Sequence, residues 1–180
     1  DELISGFTGV MRRKHAEGIT LAALCGEWMA NSIENLSLVP EIPKFDSLEG
    51  LYRGGTGIMA AAGPSLDKTI PEIRKLNGKV PVIAVGTALR PLLKAGIKVD
   101  FTIVVDSDPL ILKQFEGLPE NSKFHVLLPH HMLPELPRRF KDRTFFFSTG
   151  IAGGINRLLD SAGALPRELR TAGTVSLTAL

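Results

Sequence analysis

The chain alternates between short apolar runs and segments in which apolar residues recur at helical spacing. Each run consists of small or branched apolar residues bounded by turn residues, which suits a strand buried within a sheet. The runs predict five strands, at residues 58–62, 80–85, 100–105, 124–128 and 144–147. Helices are predicted from residue 66, over 88–95, 110–115, 133–140 and 151–161, and from residue 173 onward. This pattern favours an α/β fold: a Rossmann-like, mostly parallel sheet with helices on both faces.

A helical segment precedes this alternation. An approximate helical stripe runs through residues 1–36, at Leu21, Leu24, Trp28, Ile33 and Leu36. Glycines at four positions weaken it, so two or three shorter helices are expected rather than one long helix. Pro40 and Pro43 indicate a linker over residues 37–50. We therefore divide the chain into a helical lead-in with its linker, residues 1–50, and a Rossmann-like domain, residues 51–180, and interpret it as a piece of a longer protein.

Composition excludes several classes of protein. Hydrophobic residues make up 44% of the 180 residues and charged residues 22%, as in ordinary globular domains. The net charge of +2 gives no strong attraction to nucleic acid or to an anionic membrane. No apolar run is long enough to span a bilayer, and the acidic start is unlike a secretory signal. The lone Cys25 cannot form an internal disulfide and is expected in the core. We predict a cytoplasmic protein.

The first strand runs into a turn that could hold an anion. Gly63 and Pro64 end the strand, and Ser65 stands at the N-cap position of the helix that begins at Leu66. Backbone N–H groups at such a helix start favour phosphate, and a glycine lets the ligand approach the backbone. An ordinary turn between strand and helix has the same pattern, so both interpretations stay open.

Polar residues follow the other predicted strands as well. In a parallel sheet a ligand lies outside the carboxyl ends of the strands, which brings these segments to one edge. The segments after the second to fifth strands are Gly86-Thr87, Asp106-Ser107-Asp108, His130-His131 and Ser148-Thr149.

Asp106 and Asp108 give the most specific chemical prediction, a metal site. Two carboxylates two residues apart can both reach a hard cation such as Mg²⁺, which could bridge to a diphosphate. Alternatively, the same residues form a turn and cap the next helix.

The histidine and hydroxyl pairs also have two interpretations each. His130 or His131 could act as a general base, and at most one is expected to face the site; histidines in a surface loop are the favoured alternative. Ser148 and Thr149 could bind a sugar or phosphate oxygen, or cap the next helix.

Two common nucleotide motifs are missing. A dinucleotide fingerprint requires G-x-G-x-x-G after the first strand, but Ala61 and Leu66 occupy the positions of the other two glycines. No Gly-Lys-Ser/Thr sequence follows Gly63, which excludes a P-loop.

Several ordered motifs share their order and spacing with one known family. They lie at residues 62–67, 82–92, 96–101 and 106, with a lead-in at 31–36 and a last motif at 173–175 and 178–180. Together they resemble the motility-associated factor family, bacterial proteins linked to flagellin glycosylation. These proteins share a domain named after the archaeal 6-hydroxymethylpterin diphosphokinase. The resemblance covers roughly residues 28–180.

The resemblance implies a nucleotide-binding domain. Members of the bacterial branch resemble glycosyltransferases that move a nonulosonic acid from a CMP-activated donor to Ser or Thr of flagellin. By that resemblance Gly63, Pro64 and Ser65 would hold the CMP phosphate or ribose, and Gly173 and Thr174 would line the same cleft. The helical lead-in favours this branch, and His130 or His131 is the candidate base for the acceptor hydroxyl.

Two other functions stay open. The archaeal branch transfers diphosphate from ATP to a pterin alcohol with Mg²⁺ and has Asp-x-Asp-Gly after the third strand. Here Asp106 and Asp108 fit that spacing, but Pro109 replaces the glycine; Val99 also replaces the proline usual in both branches. A module that binds a nucleotide sugar or flagellin without turnover is the third possibility.

Overall fold

A five-stranded sheet forms the centre of the molecule. The computed structural model describes residues 2–169, except residues 44, 119–121, 150–152, 162 and 165. Every pair of neighbouring strands is parallel, and their spatial order follows the chain. The strands are β1 (Ile58–Ala61), β2 (Val82–Val85), β3 (Phe101–Ile103), β4 (His125–Pro129) and β5 (Thr144–Phe147). The predicted α/β fold with its parallel sheet is confirmed.

The α-helices that link successive strands pack on one face of the sheet. They are α2 (Leu66–Leu76), α3 (Leu89–Lys94) and α4 (Glu135–Arg139), and a 3₁₀ helix, Pro109–Phe115, links β3 to β4. Leu92, Phe115 and Leu136 of these elements are buried against Ala84 and Val126 of the strands. Burying each large apolar side chain contributes about 1.5–3 kcal/mol, so this layer is a main source of stability.

The second face of the sheet is covered by the segment that the sequence predicts as a linker. Phe45 and Leu48, in the 3₁₀ helix Phe45–Leu48, pack against Ile103, Leu127 and Phe147. The ring centroids of Phe45 and Phe147 are 6.3 Å apart. The predicted linker therefore contributes to the core of the sheet domain, while the division of the chain after residue 50 stays a prediction.

Strand β1 lies at one edge of the sheet, and it is not buried on both faces as its apolar run predicts. Ile58 and Met59 are half-buried, Ala60 is buried and Ala61 is exposed. Of the described strands, β2 is the one that pairs with it. An apolar run of small residues cannot by itself distinguish an edge strand from a central one.

The N-terminal segment forms one helix, α1 (Glu2–Asn35), where the glycines predict two or three. A Cβ at Gly6, Gly9, Gly18 or Gly26 would meet nothing within 4 Å, so these positions lie clear of packed neighbours. A glycine lowers helix stability by about 1 kcal/mol but leaves the backbone hydrogen bonds in place, which is why the helix continues. Among the described residues, no helix combines the length and apolarity needed to cross a bilayer.

Helix α1 docks through polar side chains together with Trp28 of its apolar stripe. Cys25 is exposed, contrary to the expectation of a core residue, and Ile33 is 55% exposed. Of the α1 side chains whose burial is described, the buried ones are Trp28, Asn31, Ser32 and Asn35. The helix therefore faces the sheet domain with Trp28 and with two amides and a hydroxyl. A search for apolar periodicity does not detect these polar groups.

The buried amides of α1 bind the backbone that follows β4. Nδ2 of Asn35 donates to the carbonyl oxygens of His130, at 2.9 Å, and Met132, at 2.7 Å. Nδ2 of Asn31 donates to the carbonyl oxygen of His131 at 3.3 Å. Buried carbonyl groups need donors, and here a distant helix supplies them. We call this set of bonds the amide clamp.

Replacing Asn35 by alanine should destabilise the protein by about 1–3 kcal/mol, because two buried carbonyls lose their donor. Asn77 is the matched control: it exchanges two hydrogen bonds with the backbone of Lys98 in an exposed setting. Water can replace those bonds in Asn77→Ala, so a smaller loss is expected. Urea unfolding of both variants measures the difference, and equal losses would contradict the importance of the clamp.

Candidate functional site

The carboxyl ends of the five strands meet at one edge of the sheet, and this edge has two different halves. A cleft of about 300 Å³ opens at the ends of β1, β2 and β3. At the end of β4 the amide clamp covers the backbone and Trp28 packs on His131. At the end of β5 Ser148 and Thr149 are buried as well. The candidate site is therefore the β1–β3 half, which we call the cleft.

The cleft is lined by one segment from each of its strands and by the 3₁₀ helix that follows β3. Ala62 comes from the end of β1, Gly86 and Thr87 follow β2, and Asp106 follows β3. Gln114 closes the cleft from the 3₁₀ helix. The sequence-predicted residues Gly86, Thr87 and Asp106 are thus brought together.

Gln114 was not predicted as a site residue. Its Oε1 is buried and accepts no hydrogen bond within the part of the chain that the structure describes. A buried acceptor without a donor marks a place where a ligand can donate. Ile111 and Gln114, three residues apart in a 3₁₀ helix, both line the cleft. That spacing is the signal that could have identified Gln114.

The backbone conformation favours glycine at position 86. Its φ of +50° lies in the left-handed region, where an L side chain is strained. The nearest atom to a Cβ built there is Oε1 of Gln114, at an ordinary van der Waals distance of 4.0 Å. The backbone at Gly86 is therefore open to a ligand.

The turn after β3 satisfies its own backbone with its carboxylates. Oδ1 of Asp106 accepts from the N–H of Asp108 at 3.1 Å, and Oδ1 of Asp108 accepts from the N–H of Leu110 at 2.8 Å. Asp108 is the N-cap of the 3₁₀ helix and does not line the cleft. The two aspartates therefore form a turn and cap the next helix, as the second interpretation predicts. Asp106 also lines the cleft.

The same geometry limits a metal site. Among the residues with described positions, no group of three His, Cys, Asp or Glu side chains could hold a metal ion. Each of the two carboxylates already has one oxygen bound to a backbone amide. Of the pair, Asp106 is the one that could bind a Mg²⁺ ion from the cleft, with phosphate oxygens and water as the remaining ligands. That role stays a prediction.

The start of α2 is open to solvent next to the cleft. Gly63, Pro64 and Ser65 are exposed and follow Ala62, which lines the cleft. A Cβ at Gly63 would meet only Oγ of Ser65, at 4.0 Å. No neighbouring side chain among the described residues blocks this approach to the backbone of Gly63.

Ser65 occupies the N-cap position of α2, but its side chain does not cap the helix. Its φ and ψ of −82° and −17° are helical, whereas a capping serine is extended. The carbonyl oxygen of Ser65 instead accepts from the N–H groups of Lys68 and Thr69, both at 3.1 Å. The expected capping bond is absent, and the hydroxyl is available to a ligand.

His130 and His131 are buried, so the expectation of a surface loop is wrong. They are 1% and 3% exposed because α1 covers the end of β4. Nδ1 of His130 lies 3.1 Å from Oγ of Ser32, and Nε2 lies 2.7 Å from Oδ1 of Asn156. The ring of His131 stacks on Trp28, with centroids 4.8 Å apart. Neither ring lines the cleft.

Burial favours the neutral form of both histidines. Desolvation lowers the pKa of His131 to about 3, with a further contribution from the charge of His130. Desolvation also lowers the pKa of His130, and its hydrogen bond with Asn156 opposes that shift. Both pKa values therefore lie below the ordinary value of 6.5.

Ser148 and Thr149 are buried in the covered half of the edge. The backbone of Ser148 bonds to Arg167 and Leu169, and the carbonyl of Thr149 accepts from Nδ2 of Asn156 at 2.8 Å. Their hydroxyl groups have no hydrogen-bond partner within the described ranges. Neither residue lines the cleft. The remaining predicted pair, Gly173 and Thr174, lies outside the described residues.

Comparisons with known proteins give a family and a fold. A family model described as "6-hydroxymethylpterin diphosphokinase MptE-like" matches residues 30–180. The chain is similar to the structure of a MAf glycosyltransferase from Magnetospirillum magneticum AMB-1, with a TM-score of 0.52 and 20% sequence identity. The match covers 69% of this chain and 20% of that one, so this chain spans a fifth of the length of that relative. No curated protein sequence matches.

Lowering the pH below about 6.5 should destabilise the protein, because His130 and His131 are buried in the folded state. Their pKa values are lowered in the folded state, so the unfolded chain binds more protons and gains stability as the pH falls from 6.5 towards 3. The free energy of unfolding should drop by up to about 1.4 kcal/mol per pH unit for each histidine. His131→Gln should reduce this slope between pH 6.5 and 5. Equal slopes in the wild type and the variant would show that His131 does not titrate as its burial implies.

Proposed function

The chain belongs to the 6-hydroxymethylpterin diphosphokinase MptE-like family, and from that premise we propose that its cleft binds the nucleotide of a CMP-activated nonulosonic acid in flagellin glycosylation. The family match agrees with the resemblance to the motility-associated factor family. The printed name of the structural relative, a glycosyltransferase, supports sugar transfer. The CMP donor and the flagellin acceptor come from the family resemblance and belong to the proposal.

The observation that carries the proposal is the set of hydrogen-bond acceptors in the cleft. The carboxylate of Asp106 accepts only, and Oε1 of Gln114 lacks a donor within the described chain. The hydroxyls of ribose and the amino group of cytosine are donors of matching chemistry. A nucleoside therefore suits the cleft better than a bare phosphate, which the negative charge of Asp106 would repel.

The phosphate then belongs at the start of α2, beside the cleft. That helix has 11 residues, and its first turn follows the exposed Gly63, Pro64 and Ser65. A helix N-terminus favours an anion through its backbone N–H groups and dipole. A nucleoside at β1–β3 would place its phosphate near this turn, since Ala62 and Gly63 are adjacent in the chain.

Of the three residues predicted for chemistry, Asp106 lines the cleft and the two histidines do not. We therefore propose Asp106 as the side chain that contacts the nucleotide. His130 would not act as the base, because both of its ring nitrogens are hydrogen-bonded. It would instead help to shape the covered half of the sheet edge.

A diphosphokinase is the second candidate. The printed description of the family and the position of Asp106 at the cleft both favour it. It requires ATP and Mg²⁺, and it would release AMP and form a pterin diphosphate. A module that binds a nucleotide sugar or flagellin without turnover is the third candidate.

Asp106→Asn should weaken CMP binding about tenfold or more, because a hydrogen bond to a charged group contributes about 1.5–3 kcal/mol. The matched control is Asp142→Asn, an exposed aspartate that precedes β5 and therefore lies at the other end of the strands. Isothermal titration of the 180-residue chain with CMP, with and without Mg²⁺, measures the effect.

The titration, together with assays of product formation, separates the candidate functions. CMP binding without metal, followed by sugar transfer from a CMP-activated nonulosonic acid to flagellin, supports the proposal. Formation of AMP and pterin diphosphate from ATP and Mg²⁺ would establish the diphosphokinase instead. CMP binding without transfer would favour the binding module, and unchanged affinity in Asp106→Asn would exclude the role of Asp106.

Ser65→Ala should weaken CMP binding by about twofold to tenfold, the range of a neutral hydrogen bond, and leave the melting temperature unchanged. The hydroxyl makes no capping bond, so its removal has no structural cost. Titration with cytidine, which lacks the phosphate, is the control: Ser65→Ala should not affect it, whereas Asp106→Asn should weaken both ligands. A lower melting temperature, or an equal loss for cytidine, would refute phosphate recognition at Ser65.

A further inference from the structure

The one tryptophan of the chain connects α1 to the turn that carries Asp106. Nε1 of Trp28 donates to Oγ of Ser107 at 2.7 Å, and both side chains are buried. Ser107 is the neighbour of Asp106, which lines the cleft. A residue of the helical lead-in thus reaches the candidate site through one hydrogen bond.

We propose that Trp28 is a positioning residue for the cleft: it fixes Ser107 and thereby holds the Asp106 carboxylate where the nucleotide binds. This inference rests on the proposed nucleotide binding. Hydrogen bonds link the turn into one unit, because Asp106 accepts from the N–H of Asp108, whose carboxylate accepts from the N–H of Leu110. Trp28 holds that unit at its middle residue.

Trp28 can serve as an anchor because it is itself held on several sides. Its ring stacks on His131. Its carbonyl oxygen accepts from Oγ of Ser32 at 2.7 Å, one turn further along α1. The amide clamp then ties the same stretch of α1 to the end of β4. The position of the turn after β3 is therefore set by β4 and α1 together.

The indole N–H is the group on which the proposal depends. The two aspartates of the turn bind backbone amides of the turn itself. Among the described hydrogen bonds of the turn's side chains, the one from Trp28 links the turn to another element. Removing the N–H would leave the Ser107 hydroxyl buried without its donor and free the turn to shift. A site whose ligand groups are held in place beforehand binds more tightly than one that must be ordered on binding.

Trp28→Phe keeps an aromatic ring on His131 and removes the donor, and Ser107→Ala removes the acceptor. Each variant should weaken CMP binding about threefold to tenfold, and the double variant should lose no more than the single ones, because the two residues share one interaction. Ile33→Ala, an exposed site on the same helix, should leave the affinity unchanged.

Two readouts distinguish positioning from a merely structural role. In the wild type, CMP should change the fluorescence of Trp28, which needs no assignment because the chain has one tryptophan. If both single variants bind CMP with wild-type affinity while their melting temperatures fall, Trp28 is a packing residue and the proposal is wrong.

Failure of the proposed function would be seen separately. If the wild type binds no CMP, amide hydrogen exchange still tests the anchor. Trp28→Phe should speed exchange at Asp108 and Leu110, whose N–H groups are bound within the turn, more than at Leu66, whose N–H bonds to Gly63 in another turn. Equal changes at the three amides would overturn the positioning role even without a ligand.

Discussion

The amide groups of α1 that bind the backbone after β4 determine how the rest of the molecule is arranged. At the end of a parallel strand the carbonyl groups have no further ladder to join, and in a buried position they need donors. Asn31 and Asn35 provide them, at His130, His131 and Met132. This contact holds α1 over the end of β4 and leaves the cleft at the ends of β1–β3 accessible.

The order of the strands explains why this cover matters. Ligands of open α/β sheets usually lie where the strand order reverses, because the connecting helices then separate. The described strands run in chain order from β1 to β5 without such a reversal. In this sheet the cleft is defined instead by the edge that α1 leaves uncovered, together with Gly86 and the 3₁₀ helix after β3.

The fold was accessible from the sequence because its signals are local. Thr144–Phe147 is an apolar run between turn residues, and the structure has a strand over the same four residues. Part of the candidate site follows from the sequence: the rule that ligands lie at carboxyl ends predicts Thr87 and Asp106, and both line the cleft. It could not distinguish the open half of the edge from the covered half.

What the sequence could not provide depends on distant contacts between polar groups. Asn35 and Met132 are 97 residues apart, and no periodicity links an amide on a helix to a carbonyl after a strand. The burial of His130 and His131 follows from that contact, so a local analysis placed them at the surface. Ser65 occupies the predicted N-cap position, but its residue type does not reveal that its backbone is already helical and that its side chain makes no capping bond.

Helix α1 begins before the region that the family model matches, which affects the choice of recombinant fragments. The family match begins at residue 30, inside a helix that begins at Glu2. A recombinant fragment cut at that boundary would retain Asn31 and Asn35 but lose Trp28, which leaves the ring of His131 uncovered and Ser107 without its donor. Such a fragment could fold around an intact sheet and still carry a displaced loop beside its pocket, so a negative ligand screen on it would say little about the whole polypeptide.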